Sequence, residues 1–205
     1  MNKKQAALIR SMSDTEIIKQ LYLTQLLMLG IAIFLSFFFF NGLRDLLNWF
    51  QLDWSEIITY GVGSAIIVIA IDVTLMKLLP KEMYDDGGIN EKVFQRRPVW
   101  HILILTGLIA FSEEYLFRGV LQTQLGYISA SILFALMHFR YLTKPVLLIS
   151  VLLLSFYIGW VFEITHNLFV TITAHFLIDF IFACIIHFDY LHSLSGRSWF
   201  ERGED

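Results

Sequence analysis

The sequence predicts an all-α protein built as a polytopic bundle of membrane helices, and three observations lead to that class. Hydrophobic residues make up 57% of the 205 residues and charged residues 16%, compared with roughly 45–50% and about 25% in soluble domains. The mean hydropathy is +0.64. The apolar residues also occur in runs of about 20, the length of a helix that crosses a bilayer. We therefore predict a single membrane domain over residues 1–205 with about six transmembrane helices.

Charge and cysteine content exclude several classes of function. The formal net charge is −3, whereas nucleic-acid binding needs a positively charged surface, so we expect no nucleic-acid partner. Cys184 is the only cysteine, which excludes an internal disulfide. Membrane lipids are the first partners that this composition indicates.

The first half of the chain supplies two apolar runs. Residues 1–20 contain four Lys and Arg residues and are predicted to form a cytoplasmic arm before a first helix over 21–40. After a polar stretch with two tryptophans, a second apolar run covers about 57–79. Residues 80–98, called the linker below, form the most hydrophilic internal segment, and their Gly-Gly pair predicts a surface loop.

The second half is almost continuously apolar from Val99 onward. Short polar breaks divide it into four further helices, and they fall at 122–126, 140–145 and 163–167. We predict that the catalytic core lies within residues 99–188 and that 189–205 form a cytoplasmic tail. Because Lys and Arg gather in the arm, the linker, the turn at 140–144 and the tail, the positive-inside rule places both termini in the cytoplasm. The expected location is the bacterial cell membrane.

A small set of polar residues interrupts the apolar runs of the second half. An ionisable side chain in a membrane helix costs roughly 2.5–3.5 kcal/mol on insertion, so such residues are candidates for a functional site. They are Ser112, Glu113, Glu114 and Arg118 in the third helix, His138 in the fourth, and His175 and Asp179 in the sixth.

Helix geometry separates the roles of the two adjacent glutamates. Residues four apart share a helix face, so Glu114 is predicted to pair with Arg118. Glu113 lies about 140° around the axis from Arg118 and is free to face another helix. A desolvated Glu113 beside a histidine could serve as a general base. The structural alternative is that both acids only neutralise Arg118.

The same residue types fit two chemistries, which their spacing does not distinguish. Carboxylate and imidazole groups can activate a water molecule and stabilise an oxyanion. They can also bind a divalent metal such as zinc with one open position, and the ligands would then be Glu113, His138 and His175.

The order and spacing of three motifs resemble the CPBP intramembrane proteases, also called the Abi or CAAX-protease-and-bacteriocin-processing family, which includes the type II CAAX prenyl endopeptidases. The motifs are E-E-x-x-x-R at Glu113, Glu114 and Arg118, F-x-x-x-H at Phe134 and His138, and H-x-x-x-N, in an Asp variant, at His175 and Asp179. The resemblance covers about residues 112–179. It implies a helical membrane peptidase acting on a membrane-associated peptide, either prenylated or leader-bearing.

The resemblance also implies residue roles. Glu113 and His138 would activate a water molecule, and His175 and Asp179 would line the oxyanion site, with Glu114, Arg118 and Phe134 in support. Members have been described both as metalloproteases and as glutamate peptidases, so metal dependence stays open. Because an ionised carboxylate repels an oxyanion, Asp179 in place of Asn must be protonated, orient His175 or bind a cation.

Two other functions and one geometric difficulty accompany this hypothesis. Some family members are described as non-enzymatic immunity or peptide-binding proteins, and transport is disfavoured because the chain has no matching second half.

Straight helices would place Glu113 about 20 Å and His138 about 9 Å from the same membrane surface. The two side chains would then not be level.

Overall fold

The computed structural model describes residues 11–194, and this part of the chain consists of helices joined by turns and loops, without a β-strand. The helices of the bundle are α1 (Asp14–Phe39), α2 (Trp54–Leu78), α3 (Val99–Leu125), α4 (Tyr127–Met137), α5 (Pro145–Thr165) and α6 (Leu168–Leu194). Five of them are long and apolar enough to cross a membrane. The prediction of an all-α polytopic bundle is confirmed, and the difference lies in α4, which has only 11 residues.

Helix α1 begins earlier than the apolar run. Its N-cap is Ser13, whose hydroxyl accepts a hydrogen bond from the Glu16 amide while the Glu16 carboxylate accepts one from the Ser13 amide. This capping box gives hydrogen-bond partners to two backbone N–H groups that would otherwise lack them, and it fixes the helix start at Asp14. Residues 1–10 of the predicted arm and 195–205 of the predicted tail lie outside the described residues.

The linker is more ordered than the predicted loop. It contains two short helices, Lys81–Tyr84 and Ile89–Phe94. The second of these buries three apolar side chains against α1, α3 and α6, and they are Ile89, Val93 and Phe94. Because these three residues lie on one helix face, the linker packs against the bundle although most of its residues are polar.

Contacts to the linker identify the helix ends that lie together at one end of the bundle, called the linker end below. Lys92 Nζ donates a hydrogen bond to the Met12 carbonyl at 3.0 Å, next to the start of α1. Lys144 Nζ lies 3.7 Å from Asp85 Oδ2, next to the start of α5. His187 Nδ1, near the end of α6, lies 3.1 Å from the Gln95 carbonyl oxygen. The start of α1, the 140–144 turn and the end of α6 therefore share one side, as the charge distribution predicts.

A π-helical segment interrupts α3 directly after the two glutamates. It spans Tyr115–Gln122 and carries Arg118. A π turn contains an extra residue, which rotates the following side chains relative to a regular helix and often occurs at functional sites. Here it begins directly after the α-helical part of α3, which ends at Glu114, and its Arg118 side chain contacts α4 and α5. A second π segment, Ile57–Val62, lies in α2.

Candidate active site

Glu113 lies at the end of the α-helical part of α3 and faces α1. Its Oε1 accepts a hydrogen bond of 2.9 Å from Nε2 of Gln25. The carbonyl oxygen of the Gln25 side chain in turn accepts a hydrogen bond from the Ser112 hydroxyl. Gln25 and Ser112 are buried. The two hydrogen bonds fix which way the Gln25 amide points, so that a neutral donor faces the carboxylate.

The Gln25 contact was not predicted from the motifs. Gln25 is a single amide in the apolar run of α1 and belongs to no spaced pattern. The rule that identified the other polar residues applies to it as well, because a buried amide in a membrane helix needs a partner.

His175 contacts three carboxylates. Its Nδ1 lies 2.9 Å from Glu114 Oε1, and its Nε2 lies 3.6 Å from Asp179 Oδ2 and 3.9 Å from Glu113 Oε2. Since a carboxylate paired with arginine only accepts hydrogen bonds, Nδ1 carries a proton that it donates to Glu114. Nε2 faces the two remaining carboxylates, so a second proton is needed on Nε2 or on one of these carboxyl groups.

Arg118 is fully buried and connects α3 with α4 and α5. Its Nε lies 3.5 Å from Glu114 Oε2, which confirms the predicted pair. Its Nη2 donates to the backbone oxygen and the hydroxyl of Ser155, each at 3.0 Å, and its Nη1 donates to the Ser131 hydroxyl at 3.4 Å. A buried charge needs this degree of pairing, because removing one partner would leave the other charge uncompensated.

Phe134 lies between Arg118 and the two histidines. The Arg118 guanidinium carbon is 5.3 Å from the centre of the Phe134 ring, a cation–π contact. The Phe134 ring centroid is 5.0 Å from that of His138 and 6.1 Å from that of His175. Phe134 therefore contacts Arg118 and both imidazoles.

His138 lies directly after the last residue of α4. Its Nδ1 is 3.0 Å from the Phe134 carbonyl oxygen, which can only accept, so Nδ1 donates and Nε2 keeps its lone pair when the ring is neutral. Within residues 11–194, neither a hydrogen bond nor an ion pair joins His138 to Glu113. His138 is connected to the other residues of the cluster through the Phe134 ring, which packs against both imidazoles.

The expected difference in depth assumed straight helices that begin at the membrane surface. The chain enters α4 from the end of α3 and returns toward the linker end, and the Phe134 ring contacts the Arg118 guanidinium. Helix α4 has only 11 residues and ends at Met137, and α3 contains a π segment. Neither helix is therefore the straight helix on which that expectation depends.

Two other polar residues lie outside this cluster. Asn167 donates to the Gln51 carbonyl at 2.8 Å and to Glu56 Oε2 at 3.2 Å, at the end of the bundle opposite the linker. It organises the connections before α2 and α6. Asp72 in α2 is half-buried, and no hydrogen bond or ion pair involves it in the described part of the chain.

The arrangement does not form a metal site of the expected kind. Among residues 11–194, no group of three or more His, Cys, Asp and Glu side chains is placed to hold a metal ion. Of the three expected ligands, Glu113 and His175 approach each other, whereas no hydrogen bond or ion pair joins His138 to either of them in the described residues. The residues present therefore do not fit the three-ligand metal site.

Comparison with known proteins agrees with the motifs. A protein of Bacillus subtilis (strain 168), described as uncharacterized protein YpbD, is 51% identical over 169 residues, which cover 82% of this chain and 89% of the relative. The family model of type II CAAX prenyl endopeptidase Rce1-like proteins matches residues 95–181, the stretch that contains all three motifs. No solved structure matches the chain. The chain belongs to the Rce1-like family of type II CAAX prenyl endopeptidases.

Proposed function

We propose that this integral membrane protein is an intramembrane endopeptidase that hydrolyses a peptide bond of a membrane-associated peptide by means of an activated water molecule. The observation that supports this most directly is that the two adjacent glutamates have different contacts. Glu114 forms an ion pair with Arg118 through Oε2 and accepts the Nδ1–H of His175 through Oε1. Glu113 is buried, has one hydrogen bond from a neutral amide and keeps Oε2 free of hydrogen bonds.

A carboxylate in this position is suited to act as a general base. Burial removes the water that would stabilise its charge, and the Gln25 amide compensates less than a cation would. Nε2 of His138 keeps its lone pair at the end of α4 and is the second proton acceptor in this proposal. A water molecule between these two groups would have two acceptors for its protons, which increases the nucleophilicity of its oxygen.

The reaction follows from these roles. The water oxygen forms a bond to the carbonyl carbon while one of its protons moves to Glu113, and the carbonyl electron pair becomes an oxyanion. The carbon–nitrogen bond then breaks, and the proton held by Glu113 moves to the leaving nitrogen. The products are a peptide carboxylic acid and a peptide amine, so water is the only co-reactant.

Asp179 is proposed to orient His175 rather than to contact the oxyanion. Its Oδ2 lies 3.6 Å from His175 Nε2, too far for a strong hydrogen bond but near enough to favour a proton on that nitrogen. The Nε2–H group of His175 is then free to donate to the oxyanion. This role removes the difficulty that an aspartate replaces the asparagine of the family motif.

Substrate access is proposed from the linker end. His138 is partly exposed, and the chain leaves α4 there through a turn rather than a full-length helix. A peptide anchored in the membrane by a lipid or an apolar segment can approach this turn from the adjacent leaflet. The cell membrane is the proposed location, in agreement with the relative from Bacillus.

The test is cleavage by purified protein in lipid vesicles, with fluorogenic membrane-anchored peptides that include prenylated and unprenylated forms. Glu113→Gln is expected to reduce kcat at least 10³-fold, because an amide cannot accept the proton. The exposed linker variant Glu91→Gln is the matched control and should retain full activity.

Three outcomes would contradict the proposal. Equal cleavage by Glu113→Gln and the unmodified protein would exclude Glu113 as the base. If a chelator removes a bound metal and abolishes activity, and zinc alone restores it, then a metal activates the water in place of the groups proposed here. Partner binding that survives replacement of Glu113, His138 and His175 together, without any cleavage, would favour a peptide-binding protein.

A further inference from the structure

The turn after α4 stacks three side chains beside the candidate site. The ring centroids of His138 and Tyr141 are 5.8 Å apart, with the rings 23° from parallel. The Arg140 guanidinium carbon lies 4.6 Å from the centre of the Tyr141 ring. Residues 139–141 form a 3-10 turn, in which side chains three apart align. The backbone of the turn therefore places the Tyr141 ring against the imidazole of His138.

The hydrogen bond between Arg140 and Tyr141 leaves the hydroxyl proton of Tyr141 available. Nη2 of Arg140 bonds to the hydroxyl oxygen, and a guanidinium group can only donate. The hydroxyl oxygen is thus the acceptor, and within the described residues no acceptor takes its own proton. Accepting a hydrogen bond from a cation polarises the O–H bond and makes it a stronger donor.

The surroundings keep this hydroxyl neutral and close to the site. Burial raises the pKa of Tyr141, an effect that Arg140 opposes and that the negative charges of Asp86 and Asp179 increase. The Asp179 carboxylate on α6, which contacts His175, is close enough to Tyr141 to affect the pKa of its hydroxyl.

The proposed reaction needs such a donor. Oxyanion sites commonly use more than one preorganised donor, and losing one typically reduces kcat by about 10²–10³-fold. In this chain His175 can supply one through Nε2–H, whereas an ionised Asp179 supplies none. A neutral O–H group beside His138 would complete the site.

We propose that Tyr141 is the second hydrogen-bond donor to the oxyanion and that Arg140 is the positioning residue that holds and polarises its hydroxyl. The proposal rests on the peptidase function proposed above. It assigns a catalytic role to a residue outside the three family motifs, because the hydroxyl would touch the reacting oxygen.

The first test is Tyr141→Phe in the full-length protein in vesicles. The kcat is expected to fall about 10²- to 10³-fold, with KM changing less than about twofold, since the hydroxyl acts on the oxyanion and not on the bound substrate. A peptide phosphonate, which carries a tetrahedral anion, should bind weaker by the same factor. Binding of the cleaved peptide product should stay unchanged.

Matched variants separate this role from packing. Tyr127→Phe removes a hydroxyl that donates to the Phe156 carbonyl at 2.8 Å, and its kcat should stay within about twofold. Arg140→Met keeps the Tyr141 hydroxyl but removes the cation, so kcat should fall by a smaller factor than in Tyr141→Phe. Arg140→Lys should recover part of this loss.

The outcomes distinguish the two proposals. If Tyr141→Phe keeps both kcat and phosphonate affinity while Glu113→Gln is inactive, the peptidase proposal stands and the role of Tyr141 is overturned. If Glu113→Gln is active, the peptidase mechanism itself fails. Should Tyr141→Phe not fold in detergent, the kcat and phosphonate affinity of Arg140→Met decide, and unchanged values would overturn the proposal.

Discussion

Adjacent residues of identical chemistry perform different tasks at this site because the helix turns them toward different neighbours. Glu114 faces Arg118 and His175, and its charge serves to hold α3 and α6 together. Glu113 faces Gln25 on α1 and is left with an oxygen for chemistry. The identity of the side chain therefore says less about its role than the charge of the group that it meets.

Gln25 is expected to position Glu113 through its amide. The variant Gln25→Leu removes the hydrogen bond to the carboxylate, and hydrogen bonds to charged groups contribute about 1.5–3 kcal/mol. We expect kcat to fall about 10- to 100-fold with little change in KM, measured in the vesicle cleavage assay. The same substitution at exposed Gln20, on the same helix, is the control.

Conservative replacement tests whether the amide donor itself matters. Gln25→Asn shortens the side chain but keeps its amide, so it should recover part of the activity. A Gln25→Leu variant with unchanged kcat would show that Glu113 needs no support from α1.

The motifs of the sequence were sufficient to predict the pairing of Glu114 with Arg118 and the presence of Phe134, His138, His175 and Asp179 in the same cluster. Within each motif, these residues share a helix face or a fixed spacing, which a sequence displays directly. Gln25 was missed because it is isolated in its helix and is brought to Glu113 only by packing of α1 on α3.

At the scale of the helices, α5 approaches α3 and α4 at Gly159. The backbone oxygen of Gly159 accepts a hydrogen bond of 2.8 Å from Gln122 Nε2. A Cβ atom on this residue would lie 2.9 Å from Arg118 Nη1 and 2.9 Å from Ser131 Oγ. Gly159 therefore provides the space that the buried guanidinium occupies.

Gly159→Ala is expected to destabilise the bundle and reduce activity together. The added methyl group displaces Arg118, and overpacking of this kind costs about 1–3 kcal/mol. Thermal unfolding in detergent measures the effect. Gly107→Ala in α3 is the control, since no neighbouring atom lies within 4 Å of its added Cβ and alanine favours the helix. A Gly159→Ala protein as stable as the unmodified one would show that the guanidinium can move without cost.

The helix boundaries show where sequence patterns were informative and where they were not. Polar breaks at 122–126 and 163–167 lie close to the ends of α3 and α5 at Leu125 and Thr165. The end of α4 was not visible, because the apolar residues continue past Met137 into the turn. The π segment of α3 was also not visible, since an extra residue in one turn changes the backbone hydrogen bonds and not the residue types that a sequence shows.

At the scale of the whole molecule, the predicted orientation can be measured. The alternating helices place the start of α1, the linker and the end of α6 on one side, and the positive-inside rule predicts that this side is cytoplasmic. In a Cys184→Ser background, a cysteine at exposed Glu91 should react with an impermeant maleimide only after the cell membrane is opened. A cysteine at exposed Asp53, between α1 and α2, should react in intact cells. The reverse pattern would contradict the predicted orientation.

The shortness of α4 has a consequence for the surrounding lipid. Its 11 residues span about 16 Å, roughly half of the ~30 Å hydrocarbon layer, and its outer face presents Ile132, Leu136 and Met137. Such hydrophobic mismatch is relieved by local thinning of the bilayer. We expect the thinned region to lie beside His138, where headgroups and water come close to the depth of the site. A scissile peptide bond could then be hydrated at the edge of the membrane without the protein having to enclose a channel for water.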